Sequence, residues 1–440
     1  MSKIKTAILI FGDIIILYGA LAATLILRYG AGYFKESFSN HLKPFSLIFL
    51  VWLLVLYLAD LYKDKNLRTN PETIQLFALA IVISVVSSII LFYLFPYFFK
   101  LTPKTNLALF ALIFGILDFS WRLTLVKLYI SSGWRNRLLI IGDSPIIDEL
   151  VDYLKNNPQI GYDVINQIKD YSGQKTGKNI NQSIADYQIN TIIIQPHLKK
   201  DPKFTKIFYQ LLSSKIAIID LITFYEMIFQ KMPLDELEES WFIEKITIRT
   251  RPYDVIKRVA DVFLSIIFGV IFLPLYLIIA ILTKLSPRQG PVIYQQERIG
   301  INNKSFTLFK FGIMRADKGP LWTIKNDERL TFIGKILHRT HLNEIPQLYN
   351  ILKGDISFIG PRAERRELVE LYRQLPHYGI RHIIKPGLTG WAQLNYKPSA
   401  SLEEAREKLQ YDIYYIKNRS LVLDLLILLK TIRYLFISNR

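Results

Sequence analysis

The stretch KRVADVFLSIIFGVIFLPLYLIIAILTKLS, residues 257–286, decides how the rest of this chain is arranged. Its apolar part is long enough to span a bilayer, but Pro274 lies near its centre. Because proline lacks a backbone donor and clashes with the preceding turn, the helix must kink or break there. The charged residues lie near the ends of the run, as anchoring at a membrane interface requires: Lys257, Arg258, Asp261, Lys284 and Arg288. Two arrangements remain, a kinked span or a hairpin that enters and leaves by one face.

The whole chain is strongly basic and rich in apolar residues. It has 440 residues, 51% of them hydrophobic, and a formal net charge of +18, so part of it is expected to lie in a membrane. The absence of cysteine excludes a disulfide framework, a thiolate metal site and a cysteine nucleophile. We expect no nucleic-acid partner, because the aromatic residues concentrate in the membrane segments rather than among the basic clusters. Membrane lipids with anionic headgroups and phosphorylated substrates fit both properties.

Four long apolar runs lie within residues 1–133, at 6–27, 45–62, 74–99 and 106–130. Each is near the length that crosses a bilayer as a helix, so we predict four transmembrane helices. Asp13 and Asp118 lie inside these runs, where an acid is costly and usually faces a partner such as Arg122. The two acids either mark a pathway or pack the helix bundle.

Basic residues near the helix ends indicate the orientation. One side carries Lys3, Lys5, Lys63, Lys65, Arg68, Lys127, Arg135 and Arg137, and the other carries Arg28, Lys35, Lys43, Lys100 and Lys104. This bias places the N-terminus and everything after residue 133 in the cytoplasm, as in a multi-pass membrane protein. A fifth crossing at 257–286 would put the remaining chain outside, away from activated donors. We therefore predict a re-entrant helix broken at Pro274.

Residues 134–250 alternate between short apolar strands and amphipathic helices. RLLIIGD, TIIIQ and KIAIID are typical of buried strands, and the alternation predicts a parallel sheet covered by helices. The turn after the first strand contains Gly142 but lacks the spaced glycines that let a dinucleotide approach a helix. We predict a degenerate Rossmann-like domain that binds no dinucleotide.

Residues after 286 are polar and basic, and they form five clusters. These are QQERIG (295–300), FKFGIM (309–314), NDERLTFIG (326–334), THLNEIPQLYNILKGDISFIGPRAE (340–364) and RHIIKPGLTGWAQLN (381–395). Their arginines, lysines and turn-forming glycines suit a pocket for phosphates, and a carboxylate beside such a pocket would hold Mg²⁺. Each cluster alone is equally typical of a solvated charged surface.

QQERIG, NEIPQLYNILKGDISFIGPR, KPGLTGWAQ and DIYYIKNRSLVLDLLILLKT resemble the bacterial sugar transferase family, the monotopic phosphoglycosyl transferases. The resemblance covers residues 251–440, and FYEMIFQKMPLDELEESWF (224–242) is similar to the longer members that initiate exopolysaccharide or O-antigen synthesis. It implies transfer of a hexose 1-phosphate from a UDP-sugar to polyprenyl (undecaprenyl) phosphate, with release of UMP. It also implies a mainly helical transferase domain with a re-entrant helix at 257–286, a catalytic region at 287–419 and an interfacial helix at 420–437.

The resemblance also assigns roles to residues. In the family an aspartate attacks the β-phosphate to form an acyl phosphate and the next residue, a glutamate, binds Mg²⁺. These positions are Asn343 and Glu344 here. The resemblance implies phosphate contacts or substrate binding for Lys310, Arg298, Arg362 and Arg381, and an acidic role near the substrate for Asp412.

The chain departs from the family pattern at three positions: Asn343 replaces the aspartate, Gly312 an arginine and Ala363 a proline. Because an amide is weakly nucleophilic, Asn343 leaves three explanations, namely a constructed inactive variant, a natural member without activity, or an enzyme that uses another carboxylate. The function is therefore either sugar-phosphate transfer or substrate binding as a membrane scaffold or regulator.

His338 and His341 flank this motif, and we predict packing or interface roles for them rather than metal binding. The C-terminal run 420–436 contains Asp424, Lys430 and Arg433, so we predict that it lies at the membrane surface rather than crossing. The sequence leaves open which sugar is transferred and whether two copies associate as a homodimer.

Overall fold

The computed structural model describes residues 2–59, 61–62, 71–96, 104–131, 135–169, 176–211, 216–246, 251–286, 291–313, 330–396 and 401–437. The chain divides into two compact units, Met1–Leu221 and Ile222–Arg440, which we describe separately. Some of the charged residues used above lie outside the described residues: Lys63, Lys65, Arg68, Lys100 and Arg288. The cluster NDERLTFIG is described only from Leu330 onward.

The first unit begins with four long helices. They are α1 (Ser2–Tyr29), α2 (Phe34–Leu58), α3 (Pro71–Leu94) and α4 (Lys104–Ser131). Each contains a segment long and apolar enough to cross a bilayer. The four predicted apolar helices are thus confirmed, while their insertion and orientation stay predictions.

A buried ion cluster joins α1 and α4. The guanidinium of Arg122 donates to Asp13 at 2.6 Å and to Asp118 at 2.7 Å, and the Tyr62 hydroxyl donates to Asp13 at 2.6 Å. Because unpaired charge is costly in an apolar bundle, Arg122 compensates both acids at once. The geometry favours the bundle-packing reading of these two aspartates.

The rest of the first unit is a four-stranded parallel sheet in the order β2-β1-β3-β4, which confirms the predicted sheet. The strands are β1 (Asn136–Ile141), β2 (Tyr162–Ile168), β3 (Thr191–Ile194) and β4 (Ala217–Asp220). The accompanying helices are α5 (Pro145–Lys155), α6 (Thr176–Tyr187), α7 (Pro196–Lys199) and α8 (Pro202–Leu211).

A glutamine lies where a parallel sheet of this topology would bind a ligand, at the carboxyl ends of β1 and β3. Gln195 follows β3, and its Oε1 accepts a hydrogen bond from the backbone N–H of Asp143 at 3.1 Å. A Cβ at Gly142 would come within 2.3 Å of the same Oε1. The side chain of Gln195 therefore uses a backbone donor that a bound phosphate would need.

The second unit starts with α9 (Leu221–Phe229) and α10 (Glu239–Lys245), which pack with the long helix α17 (Leu402–Asn418). The backbone N–H of Met232 donates to the carbonyl of Gln410 at 3.1 Å, and Lys231 pairs with Glu407 at 3.1 Å. Residues 222–246 thus pack within the second unit, upstream of the predicted boundary at residue 250.

The apolar helix at residues 257–286 is broken. α11 (Arg251–Ile271) and α12 (Leu273–Leu285) meet at an angle of 63° around Phe272. Pro274 is the second residue of α12, where its missing N–H needs no helical partner, and its ring disfavours continuation of α11. The break near Pro274 is present, whereas entry and exit through one membrane face stays a prediction.

Two small sheets and six helices complete the described part of the second unit. β5 (Ile293–Ile299) and β6 (Ser305–Phe311) are antiparallel, and β7 (Ser357–Ile359) and β8 (Gly387–Thr389) are parallel. The helices besides α17 are α13 (Phe332–Arg339), α14 (Gln347–Lys353), α15 (Arg366–Tyr372), α16 (Trp391–Asn395) and α18 (Leu421–Ile437).

Two charged side chains of the C-terminal helix α18, Asp424 and Lys430, turn inward. Asp424 accepts hydrogen bonds from Lys257 at 2.6 Å, Tyr253 at 2.8 Å and Tyr415 at 2.8 Å. Lys430 is buried with its ammonium 5.2 Å from the centre of the Trp391 ring. The exposed residues of α18 include Leu421, Val422, Leu425 and Ile432. An apolar outer face and paired inner charges suit a helix at a membrane surface, and that location stays a prediction.

Candidate active site

A buried asparagine sets the geometry of the site by fixing α14 against β6. The Oδ1 of Asn350 accepts from the N–H of Phe309 at 3.1 Å, and its Nδ2 donates to the carbonyl of Thr307 at 2.7 Å. Asn350 is fully buried, so both bonds are shielded from water. This attachment brings the residues just before α14 close to Lys310 on β6.

Asn343 and Glu344 lie in a short 3-10 turn, Leu342–Glu344, just before α14. His341 precedes the turn with φ of +57°, a left-handed conformation that redirects the chain. The Glu344 Oε1 accepts from the Lys310 ammonium at 2.9 Å and from Arg362 at 3.5 Å. Residues 34 and 18 positions away from Glu344 therefore converge on one carboxylate.

The site carries surplus positive charge. Burial raises the pKa of Glu344, but Lys310 and Arg362 lower it more, so the carboxyl stays ionised well below its usual range. Burial also lowers the pKa of Lys310, and Arg362 and Arg298 lower it further against the attraction of Glu344. Lys310 and Arg362 together on the single carboxylate of Glu344 leave a net positive charge that suits a diphosphate.

Asn343 is 5% exposed. Among the residues that the structure describes, its side-chain amide has no hydrogen-bonding partner. Its amide atoms are not among the fully buried polar atoms without partners, so this side chain is open to water or to a ligand.

Arg381 and Asp412 lie in a neighbouring buried ion cluster. The Arg381 Nη2 is 3.1 Å from an Asp412 oxygen, and both side chains are 5% exposed. Glu364 joins them, accepting from Lys408 at 2.9 Å and lying 4.0 Å from Arg381. The structure thus groups Lys310, Glu344 and Arg362 together. It places Arg381 and Asp412 in a neighbouring buried ion pair, where Arg381 donates to the backbone carbonyl of Arg362.

Known proteins resemble the part of the chain that carries this site. Residues 252–438 match the family model described as bacterial sugar transferase. The UDP-glucose:undecaprenyl-phosphate glucose-1-phosphate transferase of Klebsiella pneumoniae is 30% identical over 326 residues, which cover 69% of this chain and 69% of that protein. This chain belongs to the bacterial sugar transferase family.

Two further relatives have related names. The Escherichia coli (strain K12) protein, also named UDP-glucose:undecaprenyl-phosphate glucose-1-phosphate transferase, is 29% identical over 329 residues, covering 70% of this chain and 69% of that protein. The UDP-N-acetylgalactosamine-undecaprenyl-phosphate N-acetylgalactosaminephosphotransferase of Aeromonas hydrophila is 43% identical over 186 residues. That match covers 41% of this chain and 44% of the Aeromonas protein, so it spans less than half of either.

Two charged residues of the buried ion cluster were not predicted from the sequence. Glu364, to which no role was assigned, is the last residue of the cluster at 340–364, and Lys408 lies four residues before Asp412 on α17. The pKa of Glu364 falls to about 2 because Lys408 and Arg381 outweigh the effect of burial, which raises it. The spacing of Lys408 and Asp412 on one helix face was the available signal.

Magnesium binding stays a prediction, with Glu344 as the residue that would hold the ion. Among the described residues, no group of three or more histidine, aspartate and glutamate side chains could hold a metal. Mg²⁺ commonly uses one or two protein oxygens with substrate phosphates and water, and Glu344 with the amide oxygen of Asn343 offers such a set. His338 and His341 are both exposed, and their packing or interface roles stay predictions.

Proposed function

We propose that this chain binds a UDP-sugar and polyprenyl phosphate, and that it is built to transfer the sugar 1-phosphate between them with release of UMP. The observation that carries the proposal is the convergence of Lys310 and Arg362 on Glu344 beside the partnerless amide of Asn343. The names of the relatives, which specify glucose or N-acetylgalactosamine, support this reaction class and leave the sugar open.

The chemistry assigned to the protein groups is mainly electrostatic. Lys310 and Arg362 would neutralise the diphosphate and stabilise the negative charge that grows on the departing UMP oxygen. Glu344 would hold Mg²⁺ with the amide oxygen of Asn343, and the ion would supply further charge neutralisation at the phosphates. Glu344 stays ionised at neutral pH, so it is a ready ligand.

The transfer step is where Asn343 matters. In the family mechanism a carboxylate forms a bond to the β-phosphorus while the bond to the UMP oxygen breaks, and polyprenyl phosphate then displaces that carboxylate. The amide of Asn343 performs the first displacement poorly. We therefore propose that the chain as written binds substrate well and turns it over slowly.

A second function is favoured by the same residue. A neutral amide whose N–H groups have no protein partner can donate to phosphate oxygens, where an aspartate would repel them. A chain that holds substrate without turnover would act as a membrane scaffold or regulator. We place either function at the cytoplasmic face of the bacterial inner membrane, in the initiation of exopolysaccharide or O-antigen synthesis.

The test uses the full chain in lipid nanodiscs that contain polyprenyl phosphate. Calorimetry should detect Mg²⁺-dependent binding of UDP-glucose or UDP-N-acetylgalactosamine, and Arg362→Gln should weaken it about tenfold because a charge-assisted hydrogen bond is lost. Arg366→Gln, an exposed change four residues away, should leave binding unaltered. Failure of both nucleotide sugars to bind the unaltered chain would rule out both functions.

A further inference from the structure

The turn that carries Arg362 is held through every backbone carbonyl. Four consecutive carbonyls each accept a hydrogen bond: Pro361 from Gly387 N–H at 2.9 Å, Arg362 from the Arg381 side chain at 2.9 Å, Ala363 from the Arg298 side chain at 2.9 Å and Glu364 from Ile299 N–H at 3.0 Å. Two of the four donors are thus buried guanidinium groups. A turn fixed in this way has little freedom to redirect its side chains.

Both arginines already use their nitrogens on protein acceptors. The Arg298 Nε and Nη2 donate to the amide oxygen of Gln296 at 3.0 and 2.6 Å, and its Nη1 donates to the Ala363 carbonyl. The Arg381 Nη1 donates to the Tyr378 hydroxyl at 2.8 Å, and its Nη2 is paired with Asp412. Each terminal nitrogen of the two guanidinium groups thus already donates to a protein acceptor.

The space around Arg381 is also too small for a phosphate. A cavity lined by Arg381, Asp412, Glu364 and Lys408 has a volume of about 10 Å³. That volume is about the size needed for one water molecule. Arg381 is 5% exposed, so in this arrangement its guanidinium offers little surface to a phosphate.

Arg362 differs from both of them. Its side chain is 36% exposed, and its guanidinium reaches Glu344 at 3.5 Å. A long, half-exposed side chain has many rotamers, so its direction depends on the backbone that carries it. Ala363, at a position where proline would restrict φ, leaves that backbone freer and increases the need for outside support.

We propose that Arg298 and Arg381 are positioning residues, which hold the carbonyls of Ala363 and Arg362 and thereby direct the Arg362 guanidinium toward Glu344 and the substrate diphosphate. Asp412 and Glu364 serve as their counter-ions rather than as groups that touch substrate. This proposal rests on the proposed function and replaces the direct phosphate contacts that the family resemblance implies for the two arginines.

A double-mutant cycle on the full chain in nanodiscs tests the proposal, with the affinity for UDP-glucose and UDP-N-acetylgalactosamine as the measurement. Arg381→Lys and Arg298→Lys keep the charge but lose the forked donors, so each should weaken binding about tenfold when Arg362 is present. In an Arg362→Gln background each should change binding less than about twofold, because its effect passes through Arg362. Arg366→Lys, the same change at an exposed arginine, is the matched control.

Equal losses with and without Arg362 would overturn the proposal, because they would mean direct contact with substrate. No loss from either lysine variant would overturn it as well. Thermal unfolding of each variant identifies misfolding. Tyr378→Phe, which removes only one acceptor of Arg381, replaces any variant that does not fold. It should give a smaller loss of affinity, and that loss should also disappear in the Arg362→Gln background. If the unaltered chain binds neither nucleotide sugar, the proposed function itself is wrong and the positioning role falls with it.

Discussion

Replacing Asn343 by aspartate should raise the rate of sugar-phosphate transfer from slow turnover to that of an active enzyme. Asn343→Asp changes volume very little and supplies the carboxylate that the family mechanism requires. The new carboxylate would enter a site where two cations, Lys310 and Arg362, face the single carboxylate of Glu344. That surplus keeps a second carboxylate ionised at neutral pH, so it can act as a nucleophile.

The size of the effect follows from two opposing terms. Removing a catalytic nucleophile costs several orders of magnitude in kcat, so its return should raise kcat at least about 10³-fold, with Gly312 limiting full recovery. The added negative charge also opposes the diphosphate. One unit charge about 8 Å away at an effective dielectric constant of about 20 is worth about 2 kcal/mol, so KM should rise about 30-fold.

UMP release from UDP-glucose and UDP-N-acetylgalactosamine, in nanodiscs with polyprenyl phosphate and Mg²⁺, measures this change. A sugar phosphate bound covalently to the protein should be trapped when polyprenyl phosphate is omitted. Asn302→Asp adds the same charge on an exposed turn and should have no effect. Adding Glu344→Gln to Asn343→Asp should remove the gained activity.

Two results would refute this reasoning. The first is an Asn343→Asp protein that binds nucleotide sugar but releases no UMP, which would favour the scaffold function. The second is rapid UMP release by the unaltered chain that stops on Glu344→Ala. In that case another carboxylate carries out the attack, and the assignment of the nucleophile to position 343 is wrong.

Three further predictions follow from buried groups. Asp424→Ala should destabilise the second unit by about 3–5 kcal/mol in denaturant unfolding, because it leaves the Lys257 ammonium without its carboxylate partner. Asp254→Ala removes an ion pair whose acid is largely exposed and should cost less than about 1 kcal/mol. Equal costs for the two variants would contradict the buried pairing of Asp424. The pKa of Glu364 is depressed from 4.5 to about 2, so its contribution of about 3 kcal/mol is present above about pH 4.5 and is lost as the pH falls through 2; Glu364→Gln should remove that part of the acid dependence of thermal unfolding. NAD and NADP should not bind the unaltered chain, because Gln195 uses the Asp143 N–H; micromolar binding by calorimetry would contradict this.

Much of the secondary structure could be predicted from local sequence patterns. Apolar runs of spanning length predicted four helices, and the alternation of strands and helices predicted the parallel sheet. Pro274 predicted the break between α11 and α12. Each of these features depends on residues that are neighbours in the chain, so spacing and side-chain type suffice to indicate them.

Only part of the candidate active site could be predicted from the sequence. The motifs pointed to Lys310, Glu344 and Arg362, and the structure brings these three together. The burial of Arg381 with Asp412, and the participation of Glu364 and Lys408, were not predicted. Whether an arginine faces substrate or holds a backbone carbonyl depends on packing around it, and no spacing rule contains that information.

By itself, the sequence determined the apolar helices, the broken helix at Pro274, the family and the amide at position 343. Only the tertiary structure decided which distant residues meet, such as Lys310 with Glu344 across 34 positions and Lys257 with Asp424 across 167. The physical reason is that helix and strand formation is set by local periodicity, whereas pairing between distant charges is set by how the elements pack and by which groups burial deprives of water.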